Sequence, residues 1–217
     1  MKEILNTILD VFFPVNCLSC RERGSLLCLK CLLSSPPAER ESADWIFPLF
    51  DYRHPPIKKA IWLLKYKGGR RLAKIFAEAL YGRILEELGE LSQFENFREP
   101  ILISIPLAPK RERKRGFNQA TLLCKELVKL DRDVNFILER NILIKPKDTL
   151  HQAQIENRNE RLKNIIGSFV IKNPEIIKNR NIILIDDVLT TGATLTEAKK
   201  TLKKSGAKKI IAFTVAH

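Results

Sequence analysis

The chain lacks two glycine-rich motifs that are common in nucleotide-binding proteins. Neither G-x-x-x-x-G-K-[ST] nor G-x-G-x-x-G occurs in its 217 residues, which argues against a P-loop nucleotide site and a Rossmann dinucleotide site. No apolar run approaches the roughly 18 residues that span a bilayer. We therefore expect no membrane insertion.

A recognisable export signal is also missing. Residues 1–14 are rich in apolar side chains, but Asn6, Thr7 and Asp10 interrupt them and no small-residue cleavage site follows. The apolar positions fall near helical spacing instead, which predicts an amphipathic helix packed against the rest of the protein. We expect a cytoplasmic protein.

Acidic residues are too few to balance the basic ones. The 38 lysines and arginines exceed the 25 acidic residues, giving a formal net charge of +13. The excess concentrates in residues 58–74, 110–115 and 199–209. Such clusters suit a nucleic acid or a polyphosphate partner, although an ordinary solvated lysine face explains residues 199–209 equally well.

The five cysteines are few but unevenly placed. Four of them form two C-x-x-C pairs: Cys17, Cys20, Cys28 and Cys31. This spacing predicts a closed, structural tetrathiolate site for Zn²⁺. Two disulfides or ordinary buried thiols are the alternatives, and disulfides are disfavoured because no export signal is present. Cys124 lies in an apolar helical pattern and is predicted to be a small core residue.

A polar, proline-containing segment follows the cysteines. Residues 34–42 read SSPPAERES, which cannot support a core and is typical of a linker. The chain is therefore predicted to divide into residues 1–44, with the N-terminal helix and the zinc unit, and residues 45–217, a larger domain.

The larger domain alternates apolar strand patterns with helical ones. We predict helices at residues 56–66, 71–91 and 118–130, and strands at 45–52, 101–105, 168–171, 182–185 and 209–215, with one more at 134–138 or 142–144. Strands that alternate with helices imply right-handed crossovers. The fold class is therefore α/β, with a parallel sheet flanked by helices.

Residues 181–195 carry the strongest chemical signal. They read NIILIDDVLTTGATL: a buried strand, then Asp186 and Asp187 at the carboxyl edge of the sheet, where open α/β folds bind ligands. The following loop can wrap a phosphate at a helix start: Thr190, Thr191, Gly192, Ala193 and Thr194. Adjacent carboxylates and a phosphate loop suit a ribose 5-phosphate.

A basic loop is predicted beside the threonine-rich phosphate loop. Residues 101–105 form a buried strand, residues 106–109 stop it with two prolines, and the sequence KRERKR follows. Guanidinium and ammonium groups there suit a pyrophosphate. The candidate ligands are Lys110, Arg111, Arg113 and Arg115.

Residues 182–194 resemble the phosphoribosyl pyrophosphate (PRPP) signature of the type I phosphoribosyltransferases. By that resemblance Asp186 and Asp187 hold the ribose hydroxyls, directly or through a metal, and residues 190–194 hold the 5′-phosphate, with Mg²⁺ accompanying PRPP. A strand followed by a threonine-rich helix cap is the plain alternative. That alternative explains neither the paired aspartates nor the glycine.

A further motif resembles the R-G-F-N-Q-A hallmark of the ComF family. It begins at Arg115 and continues through Gly116, Phe117, Asn118 and Gln119. The family plan also includes a four-cysteine knuckle, a lysine-containing segment like residues 64–68 and a C-terminal PRPP motif, so the resemblance covers nearly the whole chain. It implies a type I phosphoribosyltransferase-like domain that serves natural competence.

Three functions are consistent with these patterns. The favoured one is a ComF-like protein that binds PRPP and single-stranded DNA and assists DNA uptake, together with other competence proteins such as a helicase; transferase activity is left open. The second is a nucleobase-salvage phosphoribosyltransferase, although no obvious base pocket follows the last strand. The third is a PRPP-sensing regulator that binds a protein partner through the zinc unit.

Residues 145–164 are long and polar, and they suit either a lid over the site or a disordered excursion. His151, the only histidine near the presumed site, is not expected to act as a catalytic base.

Overall fold

The computed structural model describes residues 15–39, 42–66, 69–146 and 165–217. The predicted amphipathic helix at residues 1–14 lies outside these ranges, as do His151 and all but the first two residues of the 145–164 segment. The helices are α1 (Leu29–Leu33), α2 (Pro55–Tyr66), α3 (Gly69–Glu95), α4 (Pro109–Arg115), α5 (Gln119–Leu130) and α6 (Ala193–Lys204). The strands are β1 (Ile46–Phe50), β2 (Ile101–Ser104), β3 (Ile137–Leu138), β4 (Leu143–Ile144), β5 (Val170–Ile171), β6 (Ile182–Val188) and β7 (Ile210–Ala216).

A five-stranded parallel sheet forms the centre of the molecule. Its order is β1-β7-β6-β2-β3, and every neighbouring pair in it is parallel. Helices cover both faces of the sheet. Successive side chains of a strand point to opposite faces, so the apolar residues of β6 are buried on both sides. Ile183 and Ile185 pack with the helices α2, α3 and α5, whereas Ile182 and Leu184 pack with α6. The predicted α/β class is confirmed.

The chain reverses its direction of travel across the sheet between β2 and β6, which are direct neighbours. After β2 it proceeds outward to β3, and after β6 it proceeds the other way to β7. The loops that leave β2 and β6 therefore separate at their carboxyl ends. Such a switch point opens a crevice at the edge of a parallel sheet.

The predicted basic loop after β2 is a helix in the structure. Ala108 is extended at its N-cap, Pro109 occupies the first turn, and Gly116 ends it with a φ of 82°. Proline suits a first helical position and glycine suits a left-handed C-terminal position, so the ends of α4 are well specified locally. Its basic side chains are thus held on a short rigid element.

Two strand predictions differ in detail from the strands in the structure. Both candidates in the 134–144 region exist as two-residue strands: β3 pairs with β2 in the main sheet, whereas β4 pairs with β5 in a separate antiparallel pair. The strand predicted to end at Ile185 extends to Val188 as β6. The aspartates therefore belong to the strand itself, because β7 continues to pair with it at Asp186 and Val188.

The cysteine-containing unit packs directly on the larger domain. Its buried Leu27 and Leu32 belong to the same apolar cluster as α2 and α3. The proposed linker meets β1: Ala38 N donates to Leu49 O at 3.0 Å, and Asp51 N donates to Pro36 O at 2.9 Å. The domain boundary near residue 44 stays a prediction. Within the described ranges, no helix combines the length and apolarity needed to cross a membrane.

Candidate functional site

A cavity of about 470 Å³ opens at the carboxyl edge of the sheet, at the switch point between β2 and β6. Side chains from β6, α2, α4, α5 and the loops after β2 and β6 line it. The lining residues are Tyr52, Trp62, Lys65, Tyr66, Ile105, Pro106, Leu107, Ala108, Arg111, Arg115, Gln119, Lys145, Asp186, Asp187, Val188, Leu189, Thr190, Gly192, Thr194 and Leu195. The two halves of the predicted site therefore meet in one cavity.

The two aspartates lie in this cavity in different environments. Asp187 is buried, and its Oδ2 lies 2.6 Å from Nζ of Lys65. Burial raises the pKa of Asp187, but the nearby Lys65 charge and hydrogen bonds from Lys65, Asp186 and Gln119 together lower that pKa overall. For Asp186, burial and then the Asp187 charge hold the pKa well above its ordinary value. The site thus carries one firmly ionised carboxylate and one that resists ionisation.

Residues of the R-G-F-N-Q-A motif organise the cavity wall. The Asn118 side chain caps α5 by accepting from Ala120 N at 2.9 Å, and its Nδ2 donates to Ile105 O at 2.9 Å. Arg115 Nη1 donates to Oε1 of the buried Gln119. A hydrogen bond from the Gln119 side chain also helps to lower the Asp187 pKa. The motif therefore links the basic helix to the acidic strand.

Phe117 of the same motif connects the wall to α3. A Cβ on Gly69, the first residue of α3, would lie 2.8 Å from Cζ of Phe117. Only glycine permits this approach without displacement of the ring. The start of α3 is thereby packed against the motif.

The threonine-rich loop runs from β6 into α6. Gly192 has a φ of 75° and precedes the first residue of α6, a backbone conformation that favours glycine. Thr191 Oγ1 accepts from Ala193 N at 3.4 Å. Thr190, Gly192 and Thr194 line the cavity, whereas Thr191 and Ala193 are not among its lining residues. Backbone N–H groups at such a helix start can bind phosphate oxygens.

The structure divides the four predicted pyrophosphate ligands into two pairs. Arg111 and Arg115 lie one turn apart on α4, and both line the cavity. Lys110 and Arg113 are exposed and lie outside the lining. The helical conformation of α4 causes this division, because residues four apart share a helix face.

Sequence reasoning missed several cavity residues. Lys65 was noted only as part of a lysine-containing segment, and Trp62 and Tyr66 only as aromatic residues near basic clusters, where they suit either base stacking or the core. Positions 62, 65 and 66 fall on one face of α2, and all three line the cavity. Their helical spacing was a usable signal, but the sequence does not reveal which face meets the sheet edge.

The four N-terminal cysteines form a separate cluster. Their Sγ atoms all lie within 4.8 Å of one another, and the five cysteines of the chain are free thiols. Cys20 and Cys28 have an Sγ–Sγ distance of 3.7 Å. Zinc with bonds of about 2.3 Å to tetrahedral thiolates requires sulfur atoms about 3.8 Å apart. The donor set therefore fits Zn²⁺.

The ionisation of these thiols agrees with a cation site. Burial raises the pKa of Cys17, but hydrogen bonds from the backbone of Cys28, Cys20 and Ser19 lower it to about 6. A backbone hydrogen bond at Glu22 lowers the pKa of Cys20, yet the neighbouring thiols raise it to about 12. Thiols this close cannot all ionise unless a cation binds them.

Comparisons with known proteins identify the family. A model of the phosphoribosyl transferase domain matches residues 114–217. DNA utilization protein YhgH of Escherichia coli O157:H7 is 30% identical over 183 residues, which cover 84% of this chain and 74% of that protein. Competence protein F of Haemophilus influenzae is 38% identical over 111 residues, covering 50% of this chain and 46% of that protein.

The chain belongs to the ComF family. Competence protein ComFC of Streptococcus pneumoniae matches this ComF chain at 32% identity over 151 residues, 70% of the chain and 59% of that protein. Among solved structures, hypoxanthine phosphoribosyltransferase of Trypanosoma cruzi is 12% identical over 65% of each chain, with a TM-score of 0.37. This last likeness is too distant to support an inference.

Proposed function

We propose that this ComF-family protein binds PRPP in the cavity at the sheet edge, binds single-stranded DNA beside it, and assists DNA uptake in natural transformation. The observation that carries the proposal is the convergence of an acidic pair, a phosphate-type loop and two arginines in one cavity of about 470 Å³. Relatives named competence protein F, ComFC and DNA utilization protein support the biological role.

The acidic pair and the loop suit the two ends of a ribose 5-phosphate. The Asp187 carboxylate accepts hydrogen bonds from a sugar hydroxyl, in competition with Lys65, and Asp186 serves the neighbouring hydroxyl. The start of α6 and the threonine hydroxyls bind the 5′-phosphate. Mg²⁺ bound with PRPP supplies further neutralisation of the phosphate charge.

The two inward arginines of α4 suit the pyrophosphate group. Arg111 and Arg115 line the cavity on the same helix face, and guanidinium groups bind phosphate oxygens in pairs. Gln119 holds Arg115 toward the cavity wall. The same groups would stabilise a departing pyrophosphate if an acceptor were bound at C1′ of the sugar.

The outward basic residues of α4 suit the phosphates of a DNA strand. Lys110, Arg113 and Lys114 are exposed on the side away from the cavity. α4 then separates two anion sites, an inner one for PRPP and an outer one for DNA. We propose that this contact operates in the cytoplasm on incoming single strands, with other competence proteins as partners.

Binding of a fluorescent oligothymidylate across salt concentrations tests the outer site. Each phosphate contact with a single strand contributes about 0.7 to the slope of log affinity against log salt. The triple variant Lys110→Gln, Arg113→Gln and Lys114→Gln should therefore reduce the slope by about 2. Added PRPP with Mg²⁺ should leave the slope of the wild type unchanged, because it occupies the inner site.

The matched control removes three exposed lysines elsewhere: Lys200, Lys204 and Lys208, each changed to Gln. Its net charge equals that of the first variant. An equal fall in slope for both variants would refute a specific contact with α4, and so would the absence of oligothymidylate binding by the wild type.

A further inference from the structure

Two aromatic rings of α2 stand at the mouth of the cavity. Trp62 and Tyr66 line it, yet they are 50% and 52% exposed. Their ring centroids lie 5.5 Å apart, with the planes tilted by 48°. Large aromatic side chains are more often buried than left half in water. We call these two residues the aromatic shelf.

The aromatic shelf lies next to positively charged side chains. The guanidinium of Arg115 lies 5.3 Å from the centre of the Tyr66 ring, so the shelf and the basic helix α4 are in contact. Lys65, which lies between the two shelf residues on α2, is directed inward to Asp187. The shelf therefore lies next to the inward face of α4 and next to the acidic pair.

Charge complementarity selects the occupant of the shelf. Within α4, five basic residues accompany a single acidic one, so a ligand that reaches the shelf past this helix is favoured if it carries phosphates. A flat aromatic group attached to a phosphate chain satisfies both features, since every base has a face that stacks on tryptophan or tyrosine. An apolar peptide would leave the basic residues unmatched.

We propose that Trp62 and Tyr66 stack one nucleobase of a single-stranded DNA at the cavity mouth. This inference rests on the proposed function and deepens it, because it places one base of the bound strand next to the PRPP site. The sequence offered no obvious base pocket after the last strand. The proposed base site is instead formed by α2, which precedes most of the strands in the chain.

An oligonucleotide comparison tests the shelf. The full-length protein is titrated with a fluorescent oligothymidylate and with an abasic strand of the same length, which has the same phosphates and no bases. Wild-type protein should prefer the oligothymidylate. The double variant Trp62→Leu and Tyr66→Leu should lose at least roughly fivefold in affinity for it, with little change for the abasic strand and no change in salt slope.

Phe94→Leu is the control variant. It removes another exposed aromatic ring, one outside the cavity, and should leave both affinities unchanged.

Tryptophan fluorescence reports the contact directly. The chain has two tryptophans, so Trp45→Phe leaves Trp62 as the only one. In this background the oligothymidylate should quench the emission by stacking, whereas the abasic strand at saturation should not. Equal quenching by both strands would overturn the inference.

Calorimetry with PRPP and Mg²⁺ separates this inference from the proposed function. If the shelf variant binds both PRPP and the oligothymidylate as the wild type does, the inference fails and the proposed function stands. If the wild type binds no single strand, both fail. Pyrophosphate release from PRPP with free nucleobases, without any preference for the oligothymidylate over the abasic strand, would assign the shelf to a free base instead.

Discussion

At the scale of single residues, the ion pair between Lys65 and Asp187 controls the site. Burial alone would lower the pKa of Lys65, but the charge and hydrogen bond of Asp187, together with the Asp186 charge, raise it overall, while Lys65 helps to lower the pKa of Asp187. The pair therefore stabilises the folded protein between the two unfolded pKa values. This stabilisation is lost as the pH falls through the folded pKa of Asp187 or rises through that of Lys65.

Lys65→Met should reverse the pH dependence of stability in the acidic range. Without the ammonium group, the buried Asp187 and the partly buried Asp186 lie next to each other without the Lys65 charge, so the folded-state pKa of each rises. At neutral pH the free energy of unfolding should fall by about 3 kcal/mol. It should recover as the pH falls toward 5, because protonation removes the buried charge. Urea denaturation at several pH values measures this.

The control for this variant is Lys59→Met, on the same helix but exposed. It should change the free energy of unfolding by less than about 0.5 kcal/mol. A Lys65→Met protein as stable as the wild type at neutral pH, with the same pH dependence, would contradict the interpretation of the pair.

The sequence analysis identified Asp187 as a site residue, but it did not predict that Lys65 pairs with it. Asp187 follows a buried strand and precedes a phosphate-type loop, so local pattern is sufficient to single it out. Lys65 lies on a basic amphipathic helix that also carries the exposed Lys58 and Lys59. Only the packing of α2 against the sheet edge distinguishes it, and that packing depends on contacts distant in sequence.

At the scale of elements, the main helices and strands followed from apolar periodicity to within a few residues. α4 did not, because the sequence KRERKR has no apolar period. Its helical state is favoured by Pro109 and Gly116 at its ends. The separation of Arg111 and Arg115 from Lys110 and Arg113 follows from that helix, which the apolar pattern did not predict.

The cysteine unit makes a prediction of its own. Freshly reduced protein should contain about one zinc per chain by elemental analysis, and Cys28→Ser should reduce this to nearly none because three thiolates do not close a structural site. The variant should also melt at a lower temperature, since Cys17 and Cys31 belong to the core cluster that continues into the larger domain.

Cys124→Ala is the matched control for the zinc prediction. Cys124 is buried in α5, outside the four-cysteine cluster, so this variant should keep its zinc. A wild-type protein without zinc, or a Cys28→Ser protein with a full complement, would remove the assignment.

At the scale of the whole molecule, the strand order brings distant segments together. β6 lies beside β2 and next to β7, so the loop before α6, the helix α4 and the inward face of α2 meet at one edge. The sequence predicted a parallel sheet with ligand residues at strand ends. It did not predict the order β1-β7-β6-β2-β3, which depends on pairing between segments distant in sequence.

Calorimetric titration of PRPP in the presence of Mg²⁺ tests the central claim most directly. Wild-type protein should bind one PRPP per chain. The double variant Asp186→Asn and Asp187→Asn, with a native circular dichroism spectrum, should lose at least about 30-fold in affinity, because a hydrogen bond to the charged Asp187 contributes about 1.5 to 3 kcal/mol and one to Asp186 about 0.5 to 1.5 kcal/mol. Asp133→Asn, an exposed carboxylate outside the cavity, should bind as the wild type does. Equal affinity of the double variant and the wild type, or no binding by folded wild-type protein, would contradict the account.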